Sequence, residues 1–248
     1  MKVKRRVILI TIILLGMLWA QNGPEPVGKI TFPLNRVFVL RAGTDRLMTA
    51  HFNMDVFPGD KIETKKESRC EITLKNGSVV RIDENSIYTL EQVKIKDEHI
   101  KAESSLSLGK LWATIRKLVS SDDYVKVKSP SAVIAVRGTI YRVNVAPDST
   151  TQVRVYEGAV AVNPALASAP AAQPETRPNW PPKDVEGPQD VQGPRDVSVE
   201  EWLEIVKAQQ QIVVRKDGSY QKSDFNMEDD AQSDWVQWNL KRDAALNR

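Results

Sequence analysis

Between Val27 and Val162 the apolar positions recur every second residue in short runs separated by turn residues. In "CEITLKNGSVVRI", Cys70, Ile72 and Leu74 point one way while Glu71, Thr73 and Lys75 point the other, the period of a half-buried strand. Asn76-Gly77 predicts a two-residue hairpin turn with positive φ angles, after which Val80 and Ile82 return on the apolar side. "GKITF", "RVFVL", "DKIET", "SIYTL", "DYVKVKS" and "TQVRVYEGAVAV" read the same way. "GKLWATIRKLV" is compatible with a short helix but is assigned to strand by its surroundings. The pattern predicts a mainly β domain over residues 27–163, a twisted sandwich or solenoid-like stack.

The periodicity then stops. Residues 164–197 contain eight of the fourteen prolines and the near-repeat Asp-Val-x-Gly-Pro at 184–188 and 190–194. Proline removes backbone donors and favours extended backbone, so this stretch predicts a semi-stiff linker. Over 198–248 a small helix-strand-helix segment is expected. Ser198 and Glu201 form a capping box ahead of Val199, Trp202, Leu203 and Val206, and "QQIVVRKDGSY" returns to strand with a turn at Asp217-Gly218. A final helix carries Ala231, Trp235, Trp238 and Ala245 along one side. Such a segment is too small to fold well alone and is expected to dock on the β domain or on something else.

The N-terminus changes where the charge counts. Lys2, Lys4, Arg5 and Arg6 precede an apolar run from Val7 to Ala20, shorter than the roughly twenty residues of a membrane span. Residues 1–20 therefore predict a signal peptide cleaved near Ala20, and export to the periplasm or cell envelope. An uncleaved anchor, the alternative, would be the sole membrane contact. Removing those four basic residues takes the 35 Lys and Arg to 31 against 32 Asp and Glu, a net charge of −1. Nucleic-acid binding thereby loses its electrostatic support. Cys70 is the only cysteine, which excludes an intramolecular disulfide and a thiolate-rich metal site.

Catalytic signatures are scarce. His51 and His99 have no nucleophile or metal-ligand spacing around them, and no phosphate-binding or nucleophile-elbow motif occurs. The expectation is a protein that is not an enzyme and has no cofactor. Trp235 and Trp238, three apart on one helix, are the candidate partner-binding residues, with a core role as the competing reading.

Taken together, "GDKIETKKESRCEITLKNGSVVRIDENS", "LSLGKLWATI", "VKSPSAVIAVRGTIYRVNV" and "VRVYEGAVAV" resemble a FecR-type domain, in order, over about Val27 to Asn163. The resemblance assigns structural roles to Gly59, Asp60, Asn76, Gly77, Arg137, Gly138, Thr139 and Gly158. It implies that Gly138-Thr139 is a strand corner; from there Arg137 can reach a carboxylate such as Asp60, Asp83 or Glu157, with a ligand or partner contact as the competing reading. The best-known members of that family are inner-membrane regulators of iron uptake. They join a cytoplasmic sigma-factor-binding domain through one membrane helix to this domain, which meets a TonB-dependent transporter. Here only about six residues precede the apolar segment. The expectation is therefore a free-standing exported member without direct sigma-factor binding. Its partner would be an envelope protein or a surface polymer. The alternatives are a sensory component signalling through a separate membrane protein and, more remotely, a carbohydrate-active enzyme with paired carboxylates.

Overall fold

The computed structural model describes residues 24–164 and 204–246. The signal segment and nearly all of the proline-rich stretch lie outside the described residues. In chain order the strands are β1 (Gly28–Leu34), β2 (Val37–Leu40), β3 (Leu47–Thr49), β4 (Asp55–Val56), β5 (Lys61–Thr64), β6 (Arg69–Leu74), β7 (Val79–Ile82), β8 (Ile87–Lys96) and β9 (His99–Thr114). They continue as β10 (Tyr124–Lys128), β11 (Val133–Val136), β12 (Ile140–Val145), β13 (Thr151–Glu157), β14 (Ala159–Asn163), β15 (Glu204–Lys207), β16 (Gln210–Val214) and β17 (Tyr220–Asp224). Two helices follow, α1 (Met227–Asp230) and α2 (Asp234–Leu246).

The fold is mainly β, as the alternating pattern predicts. One continuous sheet doubles over into two layers and does not close into a barrel. Layer A runs β4-β1-β6-β7-β9-β12-β13-β16-β17. Layer B runs β3-β2-β5-β8-β9-β10-β11-β14-β15. Every pairing is antiparallel except β9 with β10. The chain crosses between layers as it advances, so each layer grows in nearly the order of the sequence.

Strand β9 belongs to both layers. Its residues Lys101–Ser105 pair with β10 in layer B, and Gly109–Thr114 pair with β12 in layer A. The corner falls at Gly109, whose φ is +93°. A Cβ there would stand 2.1 Å from Ser86 Oγ, which accepts a hydrogen bond from Lys110 N at 3.0 Å. Only glycine can turn this corner against that serine.

Alternation supplies the core between the layers. Cys70, Ile72, Leu74, Val80 and Ile82 enter from layer A, and Ile62, Leu106, Val125, Val127 and Ile134 from layer B. Tyr88 also enters this apolar space, and burial pushes its phenol up to about 12. The Cys70 thiol is fully buried, and its pKa is raised by burial and then by the neighbouring Glu71 charge.

Three local expectations are corrected. The β6–β7 connection is a three-residue loop, Lys75–Gly77, closed by Leu74 N to Ser78 O and Gly77 N to Leu74 O, both at 2.8 Å. Only Gly77 has a positive φ, +80°, so a turn followed by a left-handed glycine replaces the two-residue type. Glu204–Lys207, where the spacing through Val206 predicts helix, is the strand β15: Val206 faces Val160 and joins the core. The open edge of β14 supplies backbone partners that a short helix would forgo. Finally, the buried stripe of α2 is Trp235, Val236, Asn239 and Asp243, and Ala245 is exposed. Half of that stripe is polar, so an apolar template could not find it.

Candidate functional site

The outer face of layer A ought to meet water, yet its middle is buried. Register places one residue from each of eight adjacent strands in a single row: Phe32, Glu71, Arg81, Trp112, Arg142, Arg154, Gln211 and Ser223. Glu71, Arg81, Trp112 and Arg142 in this row are all at most 5% exposed. Helices α1 and α2 cover it.

Each buried charge in the row is answered from the C-terminal segment. Arg142 and Arg154 face each other directly, an arrangement that repels unless an anion lies between them. Asp230, at the end of α1, is that anion. Its Oδ1 accepts from Arg142 Nη2 at 2.9 Å and from Arg154 Nη1, and its Oδ2 accepts from the Tyr156 hydroxyl. Burial, and then the bond to Asp230 against the nearby arginine charge, raises the Tyr156 phenol. Asn226 caps α1 by accepting from Glu228 N at 2.8 Å, which fixes the turn that delivers Asp230.

Asp243, two turns into α2, makes the second contact. It accepts from Arg81 Nη1 at 2.6 Å, Trp112 Nε1 at 2.9 Å and Thr114 Oγ1 at 2.9 Å. Arg81 Nε also donates to Glu71 at 2.7 Å, and Arg242 donates twice to Glu71, at 2.7 and 2.8 Å. Burial alone would raise the Glu71 carboxyl. The donors Arg242, Arg81 and Thr31 outweigh it and hold the group at about 2.

Trp235 is buried and Trp238 half-buried, and the two rings stack at 5.4 Å. Arg69 lies over both, at 5.3 and 5.1 Å, and Arg242 lies between Trp238 and Phe32, at 5.1 and 4.6 Å. The pair thus grips this chain's own sheet. Three donors between the helix and the sheet have no hydrogen-bond partner among the described residues: Arg81 Nη2 and Arg142 Nε from the sheet, and Trp235 Nε1 from the helix.

The sequence-predicted motif residues lie elsewhere. Asp60 is fully buried and receives Phe57 N at 2.9 Å and Arg41 Nη1 at 2.5 Å. Burial raises its pKa against those bonds. Gly59 precedes it at φ +85°, and Asn76 stands beside Gly77 in the β6–β7 loop. Gly138, Thr139 and Gly158 come together: Thr139 Oγ1 donates to Ala159 O at 2.9 Å, and a Cβ on Gly158 would stand 3.0 Å from Gly138 O. Gly138 has φ +74°, and a Cβ on it would lie 2.8 Å from Lys117 Cα. Among the described residues no carboxylate pairs with Arg137. Its exposed guanidinium donates to Ser120 O at 3.5 Å, while Asp60 is taken by Arg41 and Asp83 by Arg69 and Lys110.

A concavity of about 740 Å³ lies between the β8–β9 hairpin and Pro24–Val27, lined by Val93, Ile95 and Ile100 with Lys94 and Lys101. His99 lines it beside Asp123 at 3.3 Å. Both Asp123 oxygens are engaged by backbone, Ile100 N at 3.2 Å and Ser120 N at 3.0 Å, which makes the carboxylate a loop anchor. Among the described residues no three His, Cys, Asp or Glu side chains are placed to hold a metal.

Residues 60–161 match the model of the family described as FecR protein. The chain carries a FecR domain. Its matched residues run from the end of the β4–β5 turn into β14, so the FecR domain supplies Glu71, Arg81, Trp112, Arg142 and Arg154. Asp230, Asp234 and Asp243 come from beyond it. Two solved structures of a putative anti-sigma factor from Parabacteroides distasonis align at 15% identity and a TM-score of 0.44. The alignment covers 67% of this chain and 60% of that one. No curated protein matches.

The residue pattern singles out Arg137 and passes over Arg81, Arg142 and Arg154. Each of those three stands at the polar position of an alternating strand, "VVRI", "IYRVNV" and "QVRV", where a solvated side chain is the ordinary expectation. Their alignment exists only in the register between strands.

Proposed function

We propose that the protein is a non-enzymatic, exported component of the cell envelope whose FecR domain recognises a protein partner, in a sensory or signalling role. The row of arginines and tryptophan on layer A carries this reading. Arg and Trp are the side chains that concentrate binding energy at protein interfaces, and a flat sheet face suits a macromolecule better than a small substrate. The carboxylates gathered there support it from the other side. Asp230 and Asp243 are engaged by arginines, and Glu71 is held at about 2, so Glu71 is not poised as the protonated acid that glycoside hydrolysis needs. A signal peptide over 1–20 and a linker over 164–197 complete the proposal: the signal directs export, and the linker connects the strands to the segment that returns over them.

The test is site-specific photo-crosslinking in intact cells. The photoreactive residue is placed at Ser223, the exposed end of the row, and separately at Phe52, which lies outside the row. Capture of an envelope protein from position 223 and not from 52 is the expected result. A cytoplasmic sigma factor as the direct partner, or equal capture from both positions, overturns it.

A further inference from the structure

We propose that α1 and α2 are a built-in occupant of the layer A row, and that the row's external partner is an acidic helical segment bearing aromatic residues, which takes their place. The inference rests on the reading of this face as a protein-recognition surface and identifies what it recognises.

Charge complementarity is the first support. The sheet presents Arg81, Arg142 and Arg154 in the row and Arg69 at its flank, against Glu71 within it. The covering segment meets all four arginines with three aspartates: Asp243 on Arg81, Asp230 on Arg142 and Arg154, and Asp234 on Arg69. An acidic helix is what this surface is shaped to hold.

The second support is that the present occupant fits incompletely. Arg81 and Arg142 are buried, yet Arg81 Nη2 and Arg142 Nε have no acceptor among the described residues, and Trp235 Nε1 is also unpaired. A buried donor without a partner forfeits its bond to water and gains nothing in return. A segment bringing a further acceptor to each of these two donors would satisfy groups that α2 leaves idle, and could therefore compete with a tethered helix. Nor is the helix sunk deeply: Trp235 and Val236 are its only buried apolar residues, while Leu240 and Leu246 remain exposed.

Two measurements on the full chain decide this. Hydrogen exchange should show amides of 235–246 opening at least about tenfold faster than those of β12 and β13, the mark of a separately opening unit. Exchange of both sets in step would overturn the proposal. In the second, a fluorescein-labelled peptide of residues 225–246 is titrated by anisotropy against wild type and against Asp230→Asn/Asp243→Asn. The variant should bind it at least about tenfold more tightly, and Arg142→Gln added to that variant should abolish binding. A variant with native circular dichroism that fails to bind the peptide overturns the proposal. Should that variant not fold, Asp234→Asn, whose carboxylate is exposed, replaces it, with tighter binding than wild type expected and equal binding overturning. Failure of the cell crosslinking alone would remove the signalling role and leave this exchange intact.

Discussion

At the scale of single residues, two positions in one corner differ sharply in what they cost to change. A side chain at Gly138 would meet both an unfavourable φ and the Lys117 backbone, so Gly138→Val should lower stability by roughly 3 kcal/mol. Its neighbour Arg137 is exposed and makes one long bond, so Arg137→Ala should change stability by about 1 kcal/mol or less. Urea melts of the two variants check this, and equal midpoints would refute it. Glu71 supplies a pH dependence. Its folded pKa, about 2, lies below the ordinary 4.5, so the unfolded chain takes up this proton first as pH falls. The stabilisation, about 3 kcal/mol, is present above pH 4.5 and is lost as the pH falls toward 2. Glu71→Gln should flatten the decline in melts between pH 5 and 2, and an unchanged slope would show that the donors are not acting on this group.

At the scale of elements, alternation by itself makes most of the strands legible. "CEITL", "VKVK" and "QVRVY" each name their buried face by period alone. The long β8–β9 hairpin is less visible because Ala102 and Ser104 occupy core-facing positions that carry little hydrophobic signal. Nothing local announces the outer row. Glu71 reads as solvent-facing, and so it would be had α2 not crossed it. The covering helix hides for the same reason: two of its four buried side chains, Asn239 and Asp243, are polar. What joins these elements is charge pairing at long sequence separation, so substitution should expose it. Asp230→Asn leaves Arg142 and Arg154 facing each other without their anion and should cost about 3 kcal/mol or more. Arg154→Gln in the same chain should recover part of that loss. A double-mutant cycle measures the coupling, and strict additivity would mean the three groups do not share one interaction.

At the scale of the whole molecule, the FecR match ends in β14, yet both layers continue through β15–β17. A protease site introduced between positions 164 and 204 should therefore yield two pieces that co-elute in native gel filtration and part only in denaturant. Separation under native conditions would show that strand pairing and the aspartate contacts are too weak to hold them. The corner at Gly109 has a mechanical consequence. Because the same strand carries load in both layers, tension along β9 cannot peel one layer from the other without shearing hydrogen bonds in each. Pulled from its ends, the double sheet should rupture in a single force peak, with Gly109 as the pivot through which the two halves fail together.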